Sequence, residues 1–197
     1  MVARTRRLDV LVNNAGYATR ASADSSRVTS PALDADQSAS GICERRSSSM
    51  DEPRGKNIEK MRRQGLSGFA PPIAQLLGMR AVAFDEGNAV LELEADGRHA
   101  NPMGTLHGGV LCDLADLAMG VACYSTLEAE ESFTTLELKI NFLKPIWTGR
   151  LTARAQVKKG GRATVLLECE IRDDKDSLVA FATSTCMVLR GDAAKGR

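Results

Sequence analysis

Residues able to do chemistry concentrate between Asn101 and Met119. His107 stands before the pair Gly108-Gly109, and two carboxylates, Asp113 and Asp116, follow in a run dominated by Val110, Leu111, Leu114, Ala115, Leu117, Ala118 and Met119. No Gly or Pro interrupts the run between Gly109 and Gly120, so it reads as a helix that ends near Leu127. The first N–H groups of a helix lack intrahelical acceptors and carry the positive end of its dipole. Glycine at that mouth lets another molecule approach the backbone. The combination suits a carbonyl oxygen that is turning into an oxyanion. A helix apolar nearly all round is expected to be buried. A carboxylate there is costly unless it is hydrogen-bonded or paired, which makes Asp113 and Asp116 candidate functional acids.

The elements around this helix follow from periodicity. Asn101-Pro102 and Gly104 form the turn that leads in. Upstream, Ile58 to Gln64 reads as a short helix, and Phe69 to Gly78 as another, with proline at its start and Gly78 as its stop. Met79–Asp85 and Ala89–Ala95 read as strands joined by Glu86-Gly87-Asn88. Downstream, Phe133 to Phe142 alternates, with Leu136, Leu138, Ile140 and Phe142 on one face and Thr135, Glu137, Lys139 and Asn141 on the other. Strands at 150–158, 164–172 and 178–189 complete the series, separated by turns at 159–162 and 173–177. Residues 191–197 read as a polar tail. The order strand, strand, helix, four strands predicts an α+β domain in which an antiparallel sheet of about six strands curls round one long helix.

Asn101, Gly104-Thr-Leu-His107-Gly108-Gly109 and Leu114-Ala115-Asp116 resemble the hotdog-fold acyl-CoA thioesterases of the phenylacetic-acid-pathway (PaaI-like) type, which includes thioesterase superfamily member 2. The likeness runs from about residue 65 to 190. It implies hydrolysis of an acyl-CoA, aryl or medium-chain, to the free acid and CoA. It assigns Asp116 as nucleophile or general base and the Gly108 N–H as oxyanion donor. It further implies that His107 orients the loop or the thioester, that Asn101 positions water, and that the Thr135 hydroxyl holds it. Lys158, Lys159, Gly160, Gly161 and Arg162 correspond to a turn that binds CoA phosphates. Each has a plainer alternative: a structural acid, a tight turn, a hydrogen-bonded histidine, a turn asparagine, a strand threonine, a solvated hairpin tip. The family forms homodimers with two composite sites, often paired into homotetramers.

Spacing agrees with a shared site. Gly108 and Asp116 are eight residues apart, about 12 Å along a helix. A reacting carbonyl must lie within about 3 Å of each group. If both serve one thioester, they come from different subunits. Rival readings are a non-catalytic hotdog that binds acyl-CoA, and a hotdog dehydratase, which the placement of His107 fits poorly.

Composition narrows the classes. The chain has 197 residues, 43% of them hydrophobic, and a formal charge of +1, enough for one core and no general pull toward nucleic acid or acidic membranes. Cys43, Cys112, Cys123, Cys169 and Cys186 include no Cys-x-x-Cys pair and read as small hydrophobes in a reducing compartment. With His99 and His107 the only histidines, no zinc site or other cofactor is expected. No stretch reaches the ~20 apolar residues of a membrane span, so a soluble, cytoplasmic protein is expected. Residues 1–56 stand apart. Leu8 to Tyr17 resembles the Asn-Asn-Ala-Gly strand of short-chain dehydrogenases, without that family's glycine-rich turn or Tyr-x-x-x-Lys, and reads as a fragment left by a gene fusion or an upstream start. The Ser-, Ala- and Arg-rich stretch after it reads as a poorly ordered arm.

Overall fold

The computed structural model describes residues 56–195, apart from the side chains of residues 67 and 69. The arm and the dehydrogenase-like fragment lie outside the described residues. Helix α1 (Asn57–Gln64) and α2 (Pro72–Leu77) precede two strands, β1 (Met79–Asp85) and β2 (Asn88–Ala95). The long helix α3 (Gly108–Ser125) follows, then β3 (Ser132–Phe142), β4 (Gly149–Gly160), β5 (Thr164–Asp173) and β6 (Leu178–Leu189). Pro72 opens α2 at its first helical position, and Gly78 closes it at φ 72°, a left-handed conformation that glycine adopts freely.

All six strands form one antiparallel sheet in the order β1-β2-β4-β5-β6-β3. α3 packs against every strand. Its inner side, Leu111, Leu114, Ala115, Ala118, Met119 and Ala122, meets Leu91, Leu93, Leu151, Leu167 and Ile171 in one core. This is the curled antiparallel sheet on one long helix expected from the pattern, the shape that the resemblance names the hotdog. α3 is 18 residues long with a mean hydropathy of 1.2, apolar enough to cross a bilayer by length and composition. The apolarity is spent inside the domain, where over half of the helix is buried.

Two expectations need correction. The sheet wraps α3 on one side only, because β1 and β3 are edges that do not meet, so Asp113 and Asp116 are exposed rather than buried. The alternation of β3 is also broken. Thr135 pairs with Cys186 and Glu137 with Thr185, leaving Leu136 as an extra residue. Such a bulge turns the residues before it to the other face. Phe133 and Thr135 therefore point to α3 together with Leu138 and Ile140. Leu136, assigned to the inner face by strict alternation, is 55% exposed. Buried Ser184 donates its hydroxyl to the Glu137 carbonyl at 2.8 Å, and Thr185 Oγ1 donates to the Glu137 carboxylate at 2.9 Å, fixing the bulge from β6.

Candidate active site

The mouth of α3 is built by a loop whose hydrogen bonds are largely internal. Asn101 N donates to the Thr105 carbonyl at 2.7 Å, and Gly104 N to the Asn101 carbonyl at 2.9 Å. Asn101 Nδ2 donates to Thr105 Oγ1 at 2.8 Å, while its Oδ1 accepts Met103 N at 2.9 Å. The Asn101 side chain thus braces its own turn. His99, buried, ties this loop to α2: its Nδ1 accepts Asp96 N and its Nε2 lies 2.9 Å from the Leu77 carbonyl. The His99 carbonyl in turn accepts His107 N at 2.8 Å. The two histidines therefore do different work, His99 anchoring the loop and His107 capping the helix.

His107 is the N-cap of α3, and its Nδ1 accepts Gly109 N at 2.9 Å. That bond leaves the ring proton on Nε2, which faces outward as a donor. A Cβ on Gly109 would lie 2.9 Å from Nδ1, so a residue without a side chain lets the imidazole fold back. Gly108 is equally constrained, since a Cβ there would lie 3.0 Å from Phe142 Cζ. With Gly109 N claimed by His107 and Val110 N by the His107 carbonyl, the Gly108 N–H has no acceptor among the described residues. It opens on a cleft of about 450 Å³ shared with Thr105, Leu111, Phe142 and Pro145. An unclaimed N–H at a helix N-terminus is a donor for a developing negative oxygen.

Eight residues on, Thr135 Oγ1 donates to Asp116 Oδ1 at 3.1 Å, with Cys186 Sγ behind it at 3.9 Å from Thr135 Oγ1. Neither Asp113 nor Asp116 has an ion-pair partner among the described residues. Asp113 is held above the ordinary carboxylate range, first by partial desolvation and then by the charge of Asp116. Asp116, not Asp113, borders a cleft of about 610 Å³ with Leu117, Gly120, Tyr124 and Phe133. The two acids, equivalent by helical spacing, thus differ in surroundings.

The structure joins Asp116 with Thr135, and His107 with Gly108, but the two pairs sit at different points of one helix. The turn after β4 lies at the Asp116 end. Thr164 pairs with Met187, and Met187 with Thr134, next to Thr135. The strand runs further than expected, so Lys158, Lys159 and Gly160 close β4 and only Gly161 and Arg162 lie in the turn. Lys158 is paired with Glu168 at 2.8 Å, while Lys159 and Arg162 are exposed and have no ion-pair partner among the described residues. Sequence reasoning missed Phe142 as the wall over Gly108, and Lys60, Gly120 and Tyr124 as cleft residues. Only Gly120, a glycine inside a helix, carried a readable signal. Among the described residues, no three His, Cys, Asp or Glu side chains converge as a metal site. Cys123, Cys169 and Cys186 are buried and unbridged, with burial pushing the Cys169 thiol up to about 12.

Comparison with known proteins shows the family. The thioesterase superfamily model matches residues 103–180, from the loop before the mouth into β6. The acyl-coenzyme A thioesterase PaaI of Escherichia coli K12 is 38% identical over 110 residues, 55% of this chain and 76% of its own length. The 1,4-dihydroxy-2-naphthoyl-CoA hydrolase of Listeria monocytogenes is 30% identical over 116 residues, 59% of this chain and 94% of its own. The solved structure of E. coli PaaI superposes with a TM-score of 0.58, covering 61% of this chain and 86% of that one at 31% identity over its broader alignment. The fold, the mouth and the acid occur together in a sequence this similar to those enzymes, and the chain belongs to the thioesterase superfamily as a hotdog-fold thioesterase of the PaaI-like type.

Proposed function

We propose that the protein hydrolyses an aryl- or medium-chain acyl-CoA thioester to the free acid and CoA at a site shared by two copies of the chain. One observation carries the reading. An open oxyanion donor, Gly108 N–H, and an unpaired acid, Asp116, share a helix yet stand about 12 Å apart, too far to serve one carbonyl. Two α3 helices lying antiparallel bring the mouth of one beside Asp116 of the other. The eleven-residue edge strand β3, with unpaired backbone groups along one side, supports pairing with a second copy. On this reading the exposure of Asp113 and Asp116 belongs to the lone chain, and the homodimer is the minimal unit, itself paired into a homotetramer.

In the composite site the thioester oxygen accepts the Gly108 N–H, positioned by the His107 cap. Asp116 of the neighbouring copy either attacks the carbonyl carbon, giving an anhydride that water opens, or takes a proton from the attacking water. Both routes form a C–O bond, break the C–S bond and release the thiol. Thr135 orients the Asp116 carboxylate, leaving its second oxygen for the water or the carbon. Asn101 contributes by holding the loop, with its remaining Nδ2 hydrogen available to the water. Exposed Lys159 and Arg162 lie at the Asp116 end, where the neighbouring mouth would deliver CoA, and are the phosphate ligands within residues 158–162. The long apolar helix is used inside the sheet, which supports a soluble, cytoplasmic enzyme.

Complementation tests the reading. Chains carrying Asp116→Asn and chains carrying Gly108→Val are each inactive alone. Mixed after unfolding and refolding together, they regain about a quarter of wild-type thiol release, since half the dimers are mixed and hold one intact site. No recovery, with mixed dimers shown to form, rejects the shared site.

A further inference from the structure

The cleft beside Asp116 has a chemically distinct far end. Its wall along α3 is apolar, Leu117 and Val121, and Gly120 faces the ring of Phe133, where a Cβ would lie 3.2 Å from Cζ. A glycine there weakens the helix but leaves the passage open. Beyond it stand Lys60 of α1 and Tyr124, whose hydroxyl lies 3.5 Å from Lys60 Nζ. Lys60 has no carboxylate partner among the described residues, although ion pairs involve its α1 neighbour Arg62 and Lys56 just before the helix. An unpaired ammonium beside a phenol, at the end of an apolar passage that begins at a reactive acid, is a receptor for an anionic oxygen.

We propose that Lys60 and Tyr124 select acyl groups that end in a carboxylate, so that the preferred substrates are monothioesters of dicarboxylic acids. The inference rests on the thioesterase reading and adds the acyl class to it. Length agrees. Tyr124 lies eight residues beyond Asp116, about 12 Å along α3, which leaves room for an acyl chain of about five to seven carbons between the two polar ends. The apolar middle excludes short polar acyl groups. The paired donors at the end distinguish a six-carbon diacid from the six-carbon fatty acid of the same length.

Adipoyl-CoA and hexanoyl-CoA, assayed by thiol release with the full chain, test it. Wild type favours adipoyl-CoA in kcat/KM. Lys60→Met lowers the adipoyl-to-hexanoyl ratio about tenfold, mainly through KM, and Tyr124→Phe lowers it less. Lys60→Arg retains the preference, and Lys60→Glu shifts it toward 6-aminohexanoyl-CoA. A wild-type preference for hexanoyl-CoA, or a ratio that Lys60→Met leaves in place, overturns the proposal. Hydrolysis of hexanoyl-CoA that Asp116→Asn abolishes would then keep the thioesterase reading intact, whereas no hydrolysis of either thioester overturns both.

Discussion

At the mouth of α3, His107, Gly109, Phe142 and the braced loop leave the Gly108 N–H without an acceptor among the described residues. Eight residues along, Asp116 stands on an exposed face and, among the described residues, has one hydrogen bond, from Thr135, and no ion-pair partner. The mouth is finished within one chain: the backbone N–H groups of Gly109 and Val110 are claimed, and that of Gly108 is not. The acid is supported from one side only. Positive character at a helix end comes from backbone geometry, so a single chain can complete it. The acid needs an electrophile beside it, and the same helix places its own mouth too far away. The mouth is therefore the half in which small steric changes should hurt, and the acid the half in which loss of charge should.

The largest expected effect is on the acid. Asp116→Asn should reduce kcat for thioester hydrolysis by about 10²-fold or more, because the general base or nucleophile is gone. Asp113→Asn should cost far less, and equal losses would reverse the assignment of the two acids. At the mouth, Gly108→Ala should lower kcat by roughly 10- to 100-fold, since the new methyl meets Phe142 at 3.0 Å and shifts the oxyanion donor. Combining it with Phe142→Ala should recover part of that loss, and a double variant no better than the single one would remove Phe142 as the cause. Thr135→Val should lower kcat by about three- to tenfold with KM nearly constant, as loss of one hydrogen bond loosens the carboxylate.

The smallest effect concerns the frame around the mouth. Lys144, two residues beyond Phe142 and bordering the Gly108 cleft, is ion-paired to Asp173. The Lys144 ammonium and the Ser177 N–H hold the Asp173 carboxyl down to about 2. A carboxyl lowered on folding stabilises the protein above its unfolded value, and that contribution disappears as the pH falls through the folded one. Urea midpoints should therefore fall between about pH 4 and pH 2, and Lys144→Met should flatten that slope. Asp96, held down to about 2 by Arg98, should leave a residual slope.

Much of this was legible in residue order. The alternating strands, the Pro72 and Gly78 signals of α2 and the His107-Gly108-Gly109 mouth all rest on local rules, and the structure follows them. Three features were not legible. Strict alternation placed Thr135 on the outer face, because nothing in Thr-Thr-Leu-Glu shows where a strand will take up an extra residue. That depends on Ser184 and Thr185, about fifty positions later. The exposure of Asp116 was missed because an apolar helix does not disclose whether a sheet closes around it. Lys60 and Tyr124 are 64 positions apart and meet only once α1 lies across α3.

The supernumerary Leu136 sets a rule for reading relatives of this strand. Removing it would barely alter the strand's hydrophobicity or charge, and an aligner would count it as one harmless gap. Here the count would be right: without Leu136 the strand alternates regularly, Thr135 still pairs with Cys186, and its hydroxyl keeps facing the acid. Two relatives that differ by this one residue therefore aim the same hydroxyl at the acid, although simple alternation counted along their sequences would place it on opposite faces.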